Sequence, residues 1–305
     1  MADDITVGLR APYDAPDGAE AHARFAALVD ETSIDRVCVG DHVTFKGGRG
    51  FDGLLNATAL AMMSRRVTVQ TAVYLLPLRH PVPVARQVAS LAALAPGRLE
   101  FGVGIGGEDP AETRACGVVP ATRGRRMDEA LTVLRPLLAG AEVTISGDFF
   151  SLDQVSIRPA PMPVVPIVVG GRSDAALRRV ARHGDGWLGL WVSPRRYADA
   201  TERISRYASE AGREVSHWRH GMHVWCAFGT PTVARARLAV AMEDFYQTPF
   251  GTFERYCPCG TPDEIAASLL AYVDAGCRSF NLIPLADSQE LAIEGTAAVR
   301  AALNS

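Results

Sequence analysis

Residues 67–107 read VTVQTAVYLLPLRHPVPVARQVASLAALAPGRLEFGVGIGG. An apolar run rich in β-branched residues, 67–73, opens the stretch, and a second, 99–104, closes it. Between them Val84, Val88, Leu91, Leu94 and Ala95 fall at the spacing of one helix face. Strand, helix and strand in that order make a parallel pair joined by a right-handed crossover. Working outward, the same unit recurs along the chain. Strands are predicted at 5–10, 36–41, 67–73, 99–104, 166–170, 186–191, 221–228 and 279–285, each followed by a helix-like stretch. Eight such units in 305 residues favour an α/β fold closed into a (β/α)₈ (TIM) barrel over an open sheet. In a barrel the chemistry sits at the carboxyl ends of the strands, so the search for function narrows to eight short stretches.

The rest of the chain reads as one domain over residues 1–305, without a linker and with insertion segments. Residues 142–156 alternate apolar and polar positions around Ser146, Gly147 and Asp148, which predicts a hairpin between the fourth and fifth units. Residues 247–261 (QTPFGTFERYCPCGT) form a second irregular segment, of the kind used as a lid, an oligomer contact or both. Helix starts are marked by Ser173 and Asp174, by Ser193 and Pro194, and by Thr261 to Glu264 with Pro262 in the first turn.

With 48% hydrophobic and 21% charged residues, the composition is that of a chain with a large buried core. Net charge is −3, and the charges are mixed along the chain, so no basic stripe points to nucleic acid. Residues 1–4 lack the basic and apolar regions of a secretory signal, and no apolar run is long enough to span a bilayer. The six cysteines are scattered, as expected of reduced core thiols in a cytoplasmic protein. Cys257 and Cys259 have no second pair with which to hold zinc, so no metal is expected.

Residues 102–107, GVGIGG, satisfy G-x-G-x-x-G but stand at the fourth strand. Glu108, Asp109 and Pro110 come next, where a dinucleotide fingerprint would run straight into a helix. The glycines serve either a tight turn or a cradle in which backbone amides approach an anion or a flavin, and the strand-end position favours the cradle. Residues 169–174, VGGRSD, end the fifth strand and open a helix. Gly170, Gly171 and Ser173 there make an anion site to which Arg172 adds charge, or else a plain joint capped by Ser173 or Asp174. Together the two glycine joints favour phosphate. Asp41 and His42 end the second strand, where an ionisable pair reads as catalytic or ligand-binding. His183 reads as a helix C-terminal residue facing the dipole and His80 as a loop residue. Trp191, ending the sixth strand, lines either a pocket or the core.

These residues carry a resemblance. The run 67–107, with Arg79, His80, Pro81, Arg86, Gln87, Gly97 and Arg98, is similar to the bacterial luciferase-like monooxygenases. It is most similar to the branch that uses the deazaflavin coenzyme F-420. Gly40, Asp41 and His42 also match, as do Gly117, Arg123, Arg126, Asp128 to Ala130, Gly170, Gly171, residues 184–187 and residues 260–264. Ala93 departs from an Asp of the family pattern and Pro96 from a small residue, both on the outer helix. The resemblance implies a flavin across the strand ends, with Asp41 a ring contact and His42 the proton donor. It implies a cis peptide at Ala72–Val73 backing the ring, and phosphate and side chain on Ile105, Gly106, Gly107 and on Gly170 to Asp174. Glu108 lies near a position where some relatives carry a catalytic acid. The implied protein is an oxidoreductase, commonly a homodimer, passing hydride between reduced coenzyme F-420 and a small organic substrate.

Two rivals stay in view. One is a two-component FMN monooxygenase, the other a flavin-binding barrel without catalysis, which would tolerate loss of His42. A glycosidase needs two carboxylates about 5–9.5 Å apart, and besides Asp41 the strand ends offer Glu108 and Asp109.

Overall fold

Hydrogen bonding closes eight parallel strands into a ring in the computed structural model, which describes residues 4–12, 18–48, 51–107 and 109–305. In chain order the strands are β1 (Thr6–Arg10), β2 (Arg36–Val39), β3 (Thr68–Thr71), β4 (Leu99–Val103), β5 (Val143–Ser146) and β6 (Ser151–Val155). They continue with β7 (Ile167–Gly170), β8 (Gly186–Leu190), β9 (Gly221–Phe228), β10 (Cys259–Gly260) and β11 (Ser279–Leu285). The ring runs β1–β2–β3–β4–β7–β8–β9–β11 and back to β1. Each predicted strand is present, with ends shifted by at most two residues. The predicted hairpin is β5 paired antiparallel with β6, outside the ring. Glu129 ties its turn down by accepting from the amides of Asp148 and Phe150 at 3.0 and 2.6 Å.

The helices are α1 (Gly18–Asp30), α2 (Phe45–Gly48), α3 (Gly53–Met63), α4 (Pro81–Leu94), α5 (Pro110–Ala115) and α6 (Arg123–Leu138). They continue with α7 (Asp174–His183), α8 (Pro194–Glu210), α9 (Pro231–Tyr246), α10 (Pro262–Asp274) and α11 (Gln289–Leu303). Ser173 and Ser193 cap α7 and α8 by accepting main-chain N–H bonds. Thr261 and Glu264 form a reciprocal capping box on α10. His80 caps α4. His183 ends α7, but burial lowers it to about 4, so at neutral pH it brings no charge to the helix terminus. All six cysteines are free, and Cys38, Cys226, Cys257 and Cys277 are buried. Residues 247–261 pack inward: Phe250, Phe253 and Cys257 join Trp225, Leu238, Met242 and Ile283 in an apolar cluster against α9.

Strands buried on both faces need a filled lumen. At the amino-terminal end it is filled by polar side chains. Arg36 Nε lies 3.2 Å from Glu100, and its Nη1 donates to Asn281 at 3.0 Å. Gln70 donates to Glu100 at 2.8 Å and accepts from Asn281. Arg219 donates to the other Glu100 oxygen at 3.0 Å. A buried ion pair contributes little net stability, but breaking it strands one charge. Glu100→Ala leaves Arg36 in that position and is expected to cost about 3–5 kcal/mol, read from the shift in a urea unfolding curve. A loss under about 1 kcal/mol would mean that the lumen rehydrates freely.

Candidate active site

A cavity of about 860 Å³ opens at the carboxyl ends of the strands. Its lining includes Asp41, His42, Ala72, Val73, Ile105, Gly106, Gly170, Gly171 and Arg172, so segments far apart in sequence meet here. Gly107, Ser173 and Asp174 lie outside that lining. Ser173 is committed to capping α7, accepting from the Ala176 amide at 3.2 Å. Asp174 is exposed, bonded to Tyr207 at 2.7 Å and to Arg178 at 2.8 Å, which together hold its carboxyl below the usual range.

Asp41 is 2% exposed. Its carboxylate accepts from the amides of Gly53 at 2.9 Å and Leu75 at 2.8 Å, and both oxygens receive the Arg79 guanidinium. Burial pushes the Asp41 carboxyl up, and the guanidinium and the two amides oppose it. Four donors meet the roughly four acceptor sites of a carboxylate. The side chain read as a ring contact is thus engaged in fixing the loop after β3 and the start of α3.

His42 is the next residue, its side chain 11% exposed. Nδ1 lies 3.0 and 3.3 Å from the two Glu112 oxygens, and the ring stacks on Phe45 at 4.1 Å. Glu112 also accepts from the amides of Val43 at 2.5 Å and Thr44 at 3.2 Å. Burial acts to raise the Glu112 carboxyl, but the bonds from His42, Val43 and Thr44 outweigh it and bring the group below the usual Glu range. An ionised carboxylate only accepts, so His42 donates its Nδ1–H to Glu112. Glu112 is 4% exposed and sits in the first turn of α5, which Asp109 caps. The acid expected at Glu108 lies outside the described residues. The signal for Glu112 was its spacing: an acid three residues after the capping Asp109 faces back toward the strand ends.

After β3 the Ala72–Val73 peptide is cis, as the resemblance implied, and both residues line the cavity. Pairing with β4 passes from Gln70–Glu100 to Tyr74–Val103, one residue more on the β3 side, so the chain bulges at this point. Val73 explains two glycines. A Cβ on Gly104 would come within 2.4 Å of Val73 Cγ2, and one on Gly170 within 3.0 Å of Cγ1. Gly106 and Gly171 are glycines for another reason, with φ of +62° and +121°, where a side chain is strained. Trp187 Nε1 donates to the Gly171 carbonyl at 2.5 Å and pins that joint. Near the first joint, Arg123 Nη1 is buried without a hydrogen-bond partner and lies 3.3 Å from where a Gly107 Cβ would stand. Arg10, His223, Trp225, Phe245, Tyr246 and Ile283 also line the cavity, and the sequence alone did not mark them. The alternation of His223 and Trp225 along β9 was the available signal. Among the described residues, no cluster of three or more His, Cys, Asp or Glu is placed to hold a metal, and no helix is long and apolar enough to cross a membrane.

The lowered Glu112 carboxyl carries a sign. Ionised Glu112 favours the folded chain above the ordinary Glu value of 4.5, and that contribution fades as pH falls through its lower folded value. The stability gap between the native chain and Glu112→Gln should therefore be full at pH 7 and shrink below about pH 4.5, in melts taken across pH. A gap that does not change with pH would contradict the ionised clamp.

Comparison with known proteins fits this geometry. An uncharacterised protein of Mycobacterium tuberculosis is 36% identical over 170 residues, 55% of this chain and 58% of that one. An F420-dependent glucose-6-phosphate dehydrogenase of Microbacterium testaceum is 31% identical over 192 residues, 60% of this chain and 57% of that one. The chain thus spans a little under three fifths of the length of either relative. The solved structure of an F420-dependent secondary alcohol dehydrogenase in complex with an F420-acetone adduct shares the fold, with a TM-score of 0.86 at 21% identity, covering 99% of this chain and 100% of that one. Residues 5–253 match the model of the luciferase-like monooxygenases. That match takes in the strands from β1 to β9, the His42–Glu112 pair and both glycine joints, and the chain belongs to the luciferase-like monooxygenase family.

Proposed function

We propose that this chain is an oxidoreductase that binds the deazaflavin coenzyme F-420 across its strand ends and serves hydride transfer to or from a small organic molecule. The observation that carries the reading is His42, held by an ionised, buried Glu112, opening into the same cavity as the Ala72–Val73 bulge and the two glycine joints. The F420-dependent relative and structural neighbour support it.

The residues fit such a coenzyme. A cavity of about 860 Å³ is of the size that encloses a cofactor. Side chains at Gly104 or Gly170 would collide with Val73, so the floor under the bulge admits only glycine there. The unpartnered Arg123 Nη1 beside Gly107 suits an anionic tail. In this reading Ala72 and Val73 back the ring, and Ile105, Gly106 and Gly107 hold the phosphate with Gly170, Gly171 and Arg172. Bound there, the deazaflavin gives or takes the hydride. The protein's part is placement and a proton. Glu112 keeps the His42 ring in one tautomer and orientation, and Nε2 gives a proton to the reduced substrate or takes one from the substrate being oxidised. Apolar walls exclude water from that transfer.

A second reading, an FMN-dependent monooxygenase, draws on the family itself. Fluorescence titration separates the two. Coenzyme F-420 should bind at least tenfold more tightly than FMN, about 1.4 kcal/mol. The reverse order would favour the monooxygenase, and binding of neither would overturn both. In a turnover assay with reduced coenzyme F-420 and a panel of enones and imines, His42→Ala should fall about 10²–10⁴-fold, with a far smaller change in coenzyme affinity. Full activity in that variant would remove His42 from the chemistry.

A further inference from the structure

One sector of the cavity differs from the rest. β8, β9 and β11 are neighbours in the ring. They contribute Leu190, Trp191, Trp225 and Ile283, and α9 adds Phe245 and Tyr246. The aromatic members brace one another. Trp191 meets Tyr246 edge to face at 4.6 Å, Phe245 meets Tyr246 at 4.8 Å, and Trp225 Nε1 donates to the Tyr246 hydroxyl at 3.1 Å. Outside the cavity, Phe253 backs Trp191 at 4.3 Å. This wall is built before anything binds.

Two buried polar atoms of this wall have no hydrogen-bond partner and lie outside the His42–Glu112 pair: Trp191 Nε1, which can only donate, and His223 Nδ1. His223 lies on β9 in register with Leu190 of β8 and Asn281 of β11. It lines the cavity and is only 7% exposed, and its Nδ1 is buried with no hydrogen-bond partner. Buried polar side chains are normally paired, so an orphan beside a cavity calls for a ligand or a water. Burial pulls its imidazole down to about 3, so the ring is neutral and offers a hydrogen bond without charge. Of the charged groups nearby, the Arg10 guanidinium lies against Gly40 on the β2 side, and its positive charge adds to burial in keeping the His223 ring neutral. Asp41 is clasped by Arg79, and Asp287 pairs with Arg237. Arg172 is exposed, over the Trp191 ring at 5.6 Å. Around the ring, β9 is reached from β3 through β4, β7 and β8 one way, and through β2, β1 and β11 the other. His223 therefore stands on the opposite side of the ring from the strand that leads into Ala72–Val73.

We propose that this wall is the substrate subsite, taking an apolar, ring-bearing molecule with one neutral oxygen, a ketone or an alcohol, which hydrogen-bonds to His223. It rests on the reading of the cavity as an oxidoreductase site. A phosphate group would not seat on this wall, because its apolar side chains offer a dianion nothing in return for its hydration.

The test is calorimetric binding to the full chain of acetophenone and of ethylbenzene, which has the same shape without the oxygen. Acetophenone should bind about tenfold more tightly than ethylbenzene. His223→Phe should erase the preference by weakening acetophenone about tenfold, while ethylbenzene is unchanged. His223→Asn, which keeps a hydrogen-bonding side chain, should retain part of it. Equal binding of the two aromatic compounds to the native chain overturns the proposal without recourse to any variant. So does a preference that survives in His223→Phe, which would make the imidazole a water-satisfied core residue. The coenzyme is titrated separately, so failure to bind coenzyme F-420 counts against the cofactor reading and leaves this comparison to stand alone.

Discussion

The carboxylate of Asp41 is the tie on which the site depends. It stands two residues past the end of β2, and its four donors come from Gly53, Leu75 and the two arms of Arg79. Arg79 reaches on to Asp52, which caps α3. One buried anion thus joins the ends of β2 and β3 to the starts of two helices. An unpaired charge there would be costly, whereas a fully bonded one fixes geometry. Its effect on the site is positional. His42 is the adjacent residue and is turned toward Glu112, while Leu75 fixes the exit from the Ala72–Val73 bulge.

The second constraint is space. Val73 projects from the bulge into room that exists only because Gly104 and Gly170 have no Cβ. The two glycine joints and the bulge are therefore one packing unit spread over β3, β4 and β7. A substitution at any of the three is expected to be felt at the other two. The barrel floor answers the same need differently, with Arg36, Gln70, Glu100 and Asn281 filling the amino-terminal lumen so that the carboxyl-terminal half stays open.

Much of this was legible in the chain before folding. The strands could be read because a barrel strand buried on both faces is a short continuous apolar run between polar joints, as in residues 67–73 and 99–104. Asp41, His42 and the glycine joints could be read because their positions at strand ends mark the functional face. The roles within the site were less legible. Asp41 and His42 look alike as a polar pair, and only the fold shows that one is enclosed by donors while the other faces a cavity. Glu112 was harder to read: its spacing from the capping Asp109 marks the side of α5 it takes, but its partner His42 lies 70 residues away in sequence. His223 and Trp225 alternate along β9, but in a strand buried on both faces the alternation does not say which set faces the lumen. Ser173 and Asp174 read both as ligand contacts and as a helix cap, and the fold shows the Ser173 side chain capping α7 and the Asp174 side chain paired with Arg178.

The central claim is that the cavity over Ala72–Val73, between the His42–Glu112 pair and the β9 wall, is a deazaflavin site. A crystal structure of the chain grown with oxidised coenzyme F-420 tests it most directly. The account predicts the tricyclic ring against Ala72 and Val73, with the phosphate-bearing tail leaving over the glycine joints and His42 at the reacting edge. A coenzyme found outside this cavity, or with its tail directed toward β9 and β11, would contradict it.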